Sequence, residues 1–577
     1  MFKYLKKYWF WCLLAPLFMV GEIMMDLMQP DLMKTIVDEG VIGKNMDIII
    51  SVGLRMILLV FLGAASGILC GVFANMGAQR FGNDLRKDVF KRIMNLSFQQ
   101  TDKFSTGSLV TRLSNDVTQV QNTVNMAMRF AVRSLFMFVG GIIMLYRQSP
   151  TFMLITACGL PIVAFFVIFF SRKAAPLFKI VQERLDSLNN VMQEDVAGAR
   201  VVKAYVKEDY EMKRFDKANQ DLVEISLKVF TRLAFMGPIL NIVLNTCIIC
   251  IIVVGGITVQ NNGDLTTGEI MASLTYVSMI LFGVMAVSNI FQMIPRVGAS
   301  INRINEVLYS KEVVKSGEIT ETKENNGKIE FRNVSFAYPN SSGQNVLEDI
   351  DLVVNPGETL AILGSTGSGK SSLVNLIPRF YDTKSGDVYV DGVNVKDYNL
   401  KALRSKIAIV LQKAELYSRP IEANIRFGKD NADPLTIKKA ASIAQADDFI
   451  CDTNDGYFTF VTEGGHSLSG GQKQRISISR AVIKDAEILI FDDSTSALDL
   501  KTEARLYKAL NETYPDLTKI IIAQRIASVR NADRIAVLEN GRISACAPHD
   551  ELMETSEVYR DIYYSQLKDD SIIDEEA

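Results

Sequence analysis

Apolar residues are concentrated in the first half of this 577-residue chain, whereas the second half mixes apolar and polar residues as soluble domains do. A bilayer core about 30 Å thick takes about 20 mostly apolar residues in a helix. Helices are expected because open strands would leave backbone groups unpaired in lipid. Six segments meet this requirement and predict an all-α, six-helix transmembrane domain over residues 1–309: residues 9–33, 47–76, 127–147, 151–170, 234–259 and 268–295.

Two long polar connections, residues 77–126 and 171–233, join the second segment to the third and the fourth to the fifth. Apolar residues recur in them at spacings of three and four, which predicts long helical extensions beyond the lipid. Loops rich in Lys and Arg stay in the cytoplasm. We therefore expect both termini and these extensions to be cytoplasmic, because the extensions carry Arg80, Arg86, Lys87, Lys91, Arg92, Arg172 and Lys173.

Ionisable residues interrupt the apolar segments at three positions. Glu22 and Asp26 are four residues apart on the first segment and so share a helix face, and Arg55 lies on the second segment. Charges at membrane depth are costly and face a cavity or a partner. The pattern fits a water-filled translocation path or gate, and it fits equally a structural ion pair between the first two helices.

Charge and cysteine content narrow the class of protein. The formal net charge is −3, so the chain has no basic excess of the kind that nucleic acid requires. The seven cysteines have no framework spacing, and we expect them to be packing residues rather than disulfide, zinc or redox sites. This expectation includes the Cys247 and Cys250 pair, which lies in an apolar segment.

A nucleotide-binding loop is predicted in the second half, after a polar linker at residues 310–327. Residues 359–377, TLAILGSTGSGKSSLVNLI, read as a buried strand, a glycine-rich loop and a helix. Glycines let backbone N–H groups approach phosphate, and the helix N-terminus adds a favourable dipole. Lys370 is then expected to reach the β- and γ-phosphates, and Ser371 to bind Mg²⁺.

Two further motifs belong to the same nucleotide chemistry. In EILIFDDSTSALD, residues 487–499, a buried strand ends at Asp492, which is expected to be the second anchor of the magnesium ion. In LSGGQKQR, residues 468–475, paired glycines and Ser469 form a second phosphate-binding turn that leads into a helix. Two such turns in one domain need not face the same nucleotide.

Taken together, these motifs resemble the ATPase domain of ABC transporters, and the whole chain resembles a half-size type IV ABC exporter. The resemblance implies an α/β P-loop ATPase domain over residues 328–566 and ATP with Mg²⁺ as cofactors. The composition of residues 567–577 indicates an acidic, solvated tail, to which no role is assigned. The resemblance further implies that short coupling helices lie in residues 104–117 and 198–208. It also implies that Tyr338 stacks on adenine and that Gln412 contacts Mg²⁺. It implies a D-loop at Ser496–Asp499 and a signature made of Ser469, Gly470, Gly471 and Gln472. It implies a Walker A loop made of Gly364, Ser365, Thr366, Gly367, Ser368, Gly369, Lys370, Ser371 and Ser372.

Two positions depart from the family pattern at the hydrolysis chemistry. Asp493 stands where the family has a catalytic glutamate, and Gln524 stands where it has a switch histidine. Asp is one methylene shorter, and misplacement by about 1.5 Å can cost on the order of 100-fold in rate. Gln donates a hydrogen bond but cannot carry the charge of a protonated His. Impaired hydrolysis at this site is therefore expected, while the signature is intact.

These features predict one half of a heterodimeric, multidrug-type exporter of small amphipathic compounds in the cytoplasmic membrane, with a second half-size subunit as partner. This chain would supply a poorly hydrolysing ATP site and the signature of a competent one. Two alternatives stay open. One is a homodimeric lipid or peptide exporter in which Asp493 is a weak base. The other is a regulatory membrane protein in which ATP gates a conformation without pumping.

Overall fold

A computed structural model describes residues 2–261, 265–311, 313–322, 326–339, 343–465 and 467–575. The chain forms two compact units. The first contains the residues up to Met94 and Gly107–Ser310, and the second contains Asn95–Thr106 and the chain from Lys311 onward. Parts of the predicted linker and tail, residues 312, 323–325, 576 and 577, lie outside the described residues.

Helices make up nearly all of the chain before Ser310. The sequence favours them through long apolar runs interrupted by few helix breakers, and the breaks fall at short polar turns. The α-helices are α1 Phe2–Lys7, α2 Trp9–Thr35, α3 Met46–Met94, α4 Phe98–Lys103, α5 Thr106–Thr111, α6 Val117–Met126, α7 Val132–Gln148, α8 Pro150–Ala197, α9 Ala199–Ala204, α10 Glu208–Ala234, α11 Met236–Gln260 and α12 Thr267–Leu308, with π-helical turns at Ile36–Ile42, Arg112–Asp116 and Ala127–Ala131.

Among the described residues, six helical stretches are long and apolar enough to cross a membrane. Five of them contain the whole of a predicted apolar segment, and the sixth, Thr267–Val284, covers the first part of the segment 268–295. The prediction of six membrane-spanning helices is therefore confirmed. The predicted extensions are helical as well. Helix α3 continues past the second apolar segment to Met94, α8 continues past the fourth segment to Ala197, and the polar α10 leads into the fifth segment. This multi-pass arrangement defines a membrane protein.

Polar contacts tie the first span to the last span of the first unit. The buried Tyr276 of α12 donates its hydroxyl hydrogen bond to the Leu27 carbonyl over 2.8 Å. Lys34 forms an ion pair of 2.9 Å with Glu269, and Asp38 accepts the Gly268 backbone N–H at 2.7 Å. These contacts join α2 and the π-helical turn after it to the first turns of α12.

The carboxylates of the first span pair with Arg133 of α7, a residue that the sequence analysis did not single out. Arg133 Nη1 lies 2.5 Å from Glu22 Oε1, and Arg133 Nη2 lies 3.1 Å from Asp26 Oδ2. The proposed pairing between the first two helices is therefore wrong, because Arg55 is exposed and the cation comes from the third span. Helix α3 instead leaves space for the Glu22 carboxylate at Gly67, where a Cβ would lie 2.7 Å from Glu22 Oε2.

The second unit contains two sheets. Their strands are β1 Ile329–Phe336, β2 Leu347–Val354, β3 Thr359–Leu363, β4 Ser385–Val390, β5 Val393–Asn394, β6 Ile407–Val410, β7 Ile488–Asp492, β8 Thr518–Ile522, β9 Arg534–Glu539 and β10 Arg542–Ala547. An antiparallel sheet has the order β2-β1-β4-β5, and a larger sheet has the order β10-β9-β3-β8-β7-β6. The larger sheet is parallel except for its edge strand β10.

Both faces of the larger sheet are buried, one against helices and the other against α13 and the antiparallel sheet, which explains why its strands are almost continuously apolar. Ten α-helices of the second unit follow Lys311 among the described residues. They are α13 Lys370–Leu376, α14 Leu400–Ser405, α15 Ile421–Arg426, α16 Pro434–Ile443, α17 Asp447–Cys451, α18 Gly470–Val482, α19 Leu500–Thr513, α20 Ile526–Val529, α21 His549–Thr555 and α22 Glu557–Glu575. All five residues of β7 and of β8 are buried. The fold predicted from the sequence, a six-helix domain followed by an α/β ATPase domain, is confirmed.

The segment Asn95–Thr106 belongs to the second unit although it interrupts the first unit in sequence. Its helix α4 begins with a capping box between Ser97 and Gln100. The Phe98 ring stacks on Phe380 with centroids 4.0 Å apart, and the Tyr381 hydroxyl donates to Asp102 over 2.6 Å. Most of this contact lies upstream of the stretch 104–117 in which the family resemblance placed a coupling helix.

The predicted linker is held on the second unit where it is described. The Gly317 N–H donates to the Tyr398 carbonyl over 2.8 Å, and Ile319 exchanges backbone hydrogen bonds with the 397–399 segment. Further along, the buried Asp391 carboxylate accepts the N–H groups of Gly327 and Lys328 and pairs with Lys406 at 2.7 Å. Sequence polarity alone did not indicate this ordering.

We expect Arg133→Ala to destabilise the first unit, because it leaves two carboxylates without their cation inside a span. The loss should be on the order of 2 kcal/mol and should appear as a lower melting temperature of the full chain in detergent. Arg55→Ala is the matched control and should leave the melting temperature unchanged. Adding Glu22→Gln and Asp26→Asn to Arg133→Ala should restore stability, and failure of that rescue would contradict the ion-pair explanation.

Candidate functional site

The strand order of the larger sheet brings four loops together at the carboxyl end of its parallel strands. Strand β8 lies between β3 and β7, and β6 lies beyond β7. Because these strands are parallel, the loops that follow them leave at the same end of the sheet, where α/β folds bind their ligands. The glycine-rich loop follows β3, Gln412 follows β6, Asp493 follows β7, and Gln524 follows β8.

The glycine-rich loop has a backbone that other residues would disturb. A Cβ on Gly364 would lie 2.3 Å from the Leu538 carbonyl oxygen, so only glycine fits between β3 and β9 there. Gly369 has φ of 104° and forms the N-cap of α13. This left-handed conformation turns the chain into the helix, whose free N–H groups then face the loop.

Lys370 lies inside this loop. Its ammonium group donates to the carbonyls of Gly364 and Ser365 over 2.7 and 2.8 Å. Burial lowers the pKa of Lys370, and the Asp493 and Asp492 carboxylates oppose that shift. The buried Ser368 hydroxyl has no hydrogen-bond partner among the described residues. A cationic, donor-rich loop of this kind fits a phosphate chain.

Ser371 and Asp492 meet at the end of β7. The Ser371 hydroxyl donates to Asp492 Oδ1 over 2.7 Å. Burial raises the pKa of Asp492, the Ser371 hydrogen bond opposes that change, and the neighbouring Asp493 carboxylate adds to it. A bound cation would offset the cost of keeping Asp492 charged. Hydroxyl and carboxylate oxygens are the ligands that Mg²⁺ prefers.

Asp493 is the centre of a polar cluster. Its Oδ2 accepts hydrogen bonds from Gln412 Nε2 at 3.2 Å and from Gln524 Nε2 at 2.7 Å. Its own N–H donates to the Ile522 carbonyl over 3.1 Å, and its φ is 47°, an uncommon left-handed conformation for a residue with a side chain. The cluster borders a cavity of about 320 Å³, lined by Tyr338, Val346, Thr366, Gly367, Gly369, Lys370, Ser371, Ser372, Gln412, Asp493, Ile522 and Gln524.

Tyr338 forms one wall of the cavity. Its hydroxyl is 3.0 Å from Ser372 Oγ, and its ring meets Phe336 and Tyr381 edge-on with centroids 4.9 and 5.3 Å away. Among the other lining residues, Val346 precedes β2 and Ile522 ends β8. Sequence reasoning missed both, because they are ordinary apolar residues with no motif of their own.

The signature residues do not line this cavity. Ser469 is the N-cap of α18 and forms a capping box with Gln472, and Ser469 and Gly470 are exposed. The predicted site residues therefore fall into two groups in one chain. One group lines the cavity or adjoins the residues that line it, as Gly364, Ser365, Ser368 and Asp492 do. The other group presents the N-terminus of α18 at the surface of the unit.

Membrane-spanning helices joined to a P-loop ATPase unit with this signature define an ABC transporter. Residues 12–285 match the family described as ABC transporter transmembrane region, and residues 347–496 match the family described as ABC transporter. The chain belongs to this family as a half-size exporter, and its second unit is an ABC ATPase domain that binds ATP.

Its relatives cover the whole chain. It is 39% identical to the uncharacterized ABC transporter ATP-binding protein YfiB of Bacillus subtilis, over 98% of both chains. It is 32% identical to the ATP-dependent lipid A-core flippase of Syntrophus aciditrophicus, over 94% of this chain and 90% of that one. A solved bacterial Atm1-family ABC exporter with ATP bound has the same fold, with a TM-score of 0.80 at 23% identity over 97% and 98% of the two chains.

We expect Gly364→Ala to weaken ATP binding by at least about tenfold, because the new methyl group displaces the phosphate loop from β9. Equilibrium binding of a fluorescent ATP analogue to the purified full chain measures this. Gly298→Ala is the matched control, since a Cβ there has open space. Equal affinities in the two variants would show that the loop tolerates the displacement.

Proposed function

We propose that this chain is one half of a heterodimeric exporter and that its own Walker motifs form an ATP site that hydrolyses slowly. The observation that carries the proposal is the Asp493 cluster, in which a short carboxylate is held by two neutral amides, Gln412 and Gln524. In this proposal Ser371, Asp492 and Gln412 hold Mg²⁺, Lys370 and the glycine-rich loop hold the phosphates, and Tyr338 stacks on adenine.

The chemistry of Asp493 and Gln524 supports slow hydrolysis. A general base must reach the attacking water, and the Asp carboxylate ends about 1.5 Å short of where a Glu carboxylate would lie. Both amide hydrogen bonds, from Gln412 and Gln524, hold the carboxylate in its present position rather than leaving it free to approach an attacking water. Gln524 adds a donor but no positive charge for the transition state.

The intact signature supports a heterodimer over a homodimer. A homodimer would contain two sites with the same Asp and Gln. A second half-transporter could supply Walker motifs with a full hydrolysis set, and Ser469 with the exposed N-terminus of α18 would complete that site. Turnover would then depend on the mixed complex.

Small amphipathic compounds are the proposed cargo. Support comes from an almost wholly apolar cavity of about 500 Å³ between α8 and α11 in the first unit, lined by residues such as Leu154, Ile162 and Val243. The basic helical extensions support a cytoplasmic location of both termini and insertion in the cytoplasmic membrane. The Syntrophus relative is named for lipid A-core flipping, which makes a lipid the second candidate cargo.

The first experiment is Mg-ATPase activity of this chain alone and of the chain co-purified with its partner half-transporter. We expect activity only in the mixed complex and its loss when Ser469→Arg blocks the signature surface. Ser469→Asn keeps an N-cap for α18 and serves as the fold control. Robust activity of the chain alone would instead establish a homodimer in which Asp493 is an effective base.

A second experiment restores the family residues. In the mixed complex, the double replacement Asp493→Glu and Gln524→His should raise hydrolysis at this chain's own site by about 100-fold. Vanadate trapping of photoreactive ATP reports which subunit carries the trapped nucleotide. No gain in trapping on this chain would contradict the proposal that these two residues limit the site.

Transport itself is tested in proteoliposomes. Uphill movement of a fluorescent amphipathic cation that needs ATP and both subunits supports the exporter. Movement of labelled phospholipid alone favours the flippase alternative. ATP-dependent conformational change with neither movement would favour the regulatory alternative.

A further inference from the structure

The backbone around Gln524 is held by a side chain from the far end of the sequence. Gln566 Nε2 donates to the Gln524 carbonyl over 2.7 Å, and Gln566 Oε1 accepts the Ile526 N–H at 2.8 Å. One amide therefore bridges both sides of Arg525, as a neighbouring strand would. The sequence motifs gave no indication of this contact, because Gln566 lies 42 residues from Gln524.

A well-packed helix positions Gln566. It lies on α22, whose Tyr559 is fully buried in the core that also contains Leu552 of α21 and Ile526 and Val529 of α20. The Tyr559 hydroxyl is 2.7 Å from His549 Nδ1, which joins α22 to the start of α21. Helix α22 therefore packs against α20, and the Gln566 amide that α22 carries bonds to the first residue of α20.

A second polar contact holds the other end of α20. The Ser528 hydroxyl donates to Glu503 Oε2 over 2.9 Å, and Glu503 is only 3% exposed. Glu503 lies in the first turn of α19, directly after the Asp493–Asp499 loop. The short helix that follows Gln524 is therefore held between α19 and α22, and β8 holds the chain before it.

Only the side chain of Gln524 reaches the site, where it donates to Asp493. Its position depends on a backbone that has left β8 at Ile522 and not yet entered α20 at Ile526. Ala523 still donates its N–H to the Ile362 carbonyl over 3.4 Å. Beyond it, the Gln566 amide bonds to the Gln524 carbonyl and to the Ile526 N–H. Loss of the amide would let Gln524 withdraw from Asp493 without removing any group from the cavity.

We propose that Gln566 is a positioning residue for ATP hydrolysis, which sets the distance between position 524 and position 493 from outside the nucleotide cavity. This inference rests on the proposed function, in which those two positions limit hydrolysis at this site. It makes the C-terminal helix α22 part of the hydrolysis machinery and predicts that hydrolysis, rather than ATP binding, depends on it.

Gln566→Met tests the proposal, because Met has nearly the same shape but neither donor nor acceptor. Gln566→Glu keeps the acceptor for Ile526 and loses the donor to Gln524, so its effect should be intermediate. Ser565→Ala is the matched control on the same helix, since the hydrogen bond that the described residues give to the Ser565 hydroxyl lies within its own turn, to the Ile562 carbonyl.

Amide hydrogen exchange of the full-length chain gives the first readout and needs no hydrolysis. The Ile526 N–H has Gln566 as its acceptor, so Gln566→Met should speed exchange in the peptide that covers residues 524–529 by about three- to tenfold. Ser565→Ala should leave exchange unchanged. Unchanged exchange in Gln566→Met would overturn the proposal, because the amide would then not hold this segment.

Vanadate trapping in the mixed complex gives the second readout, in the background of Asp493→Glu and Gln524→His. Gln566 bonds to the backbone carbonyl at position 524 and to the backbone N–H of Ile526, so both bonds persist in this background. Adding Gln566→Met should lower trapping on this chain by about tenfold, with photolabelling by ATP unchanged. Faster exchange with undiminished trapping would overturn the positioning role. No gain in the background itself would count against the proposed function, and exchange would still decide the Gln566 contact.

Discussion

The parallel pairing of β3, β8 and β7 is the constraint on which the nucleotide site depends. Leu360 pairs with Ile520, and Ile490 pairs with the same residue from the other side, so β8 is a shared reference for both neighbours. This register places the end of β3 beside the ends of β7 and β8. The glycine-rich loop, the Asp492 and Asp493 carboxylates and Gln524, from distant parts of the sequence, thereby meet through hydrogen bonds.

Burial determines the electrostatics of the charged groups at the carboxyl end of these strands. Lys370 and Asp492 are both buried, and burial shifts the pKa of each toward its neutral form. Keeping Lys370 and Asp492 charged therefore costs free energy, and a bound phosphate chain with its cation would offset that cost. Two amides donate to one oxygen of Asp493, so this side chain is held in place between Gln412 and Gln524.

The sequence predicted much of the fold because its strongest signals are local. A run such as residues 151–170 has no stable place except a bilayer or a large core, and the Gly364–Ser371 loop carries its own backbone requirements. Signals that depend on distant partners were missed or wrong. Arg133 was overlooked as the partner of Glu22 and Asp26, because sequence distance says nothing about which span faces which. Likewise, the family resemblance pointed to a coupling helix in residues 104–117, and nothing in the sequence indicated that α4 would contact Phe380 and Tyr381.

The sequence by itself determined the membrane-spanning segments, the P-loop and the identity of the residues at positions 493 and 524. Those features follow from hydropathy and from short motifs whose chemistry is complete within a few residues. Only the tertiary structure decided that Gln412 and Gln524 hold the same oxygen of Asp493 and that Gln566 holds the backbone of Gln524 in turn. Each of these hydrogen bonds joins residues at least 31 positions apart. Such pairings arise from the packing of the whole unit, which no local pattern encodes.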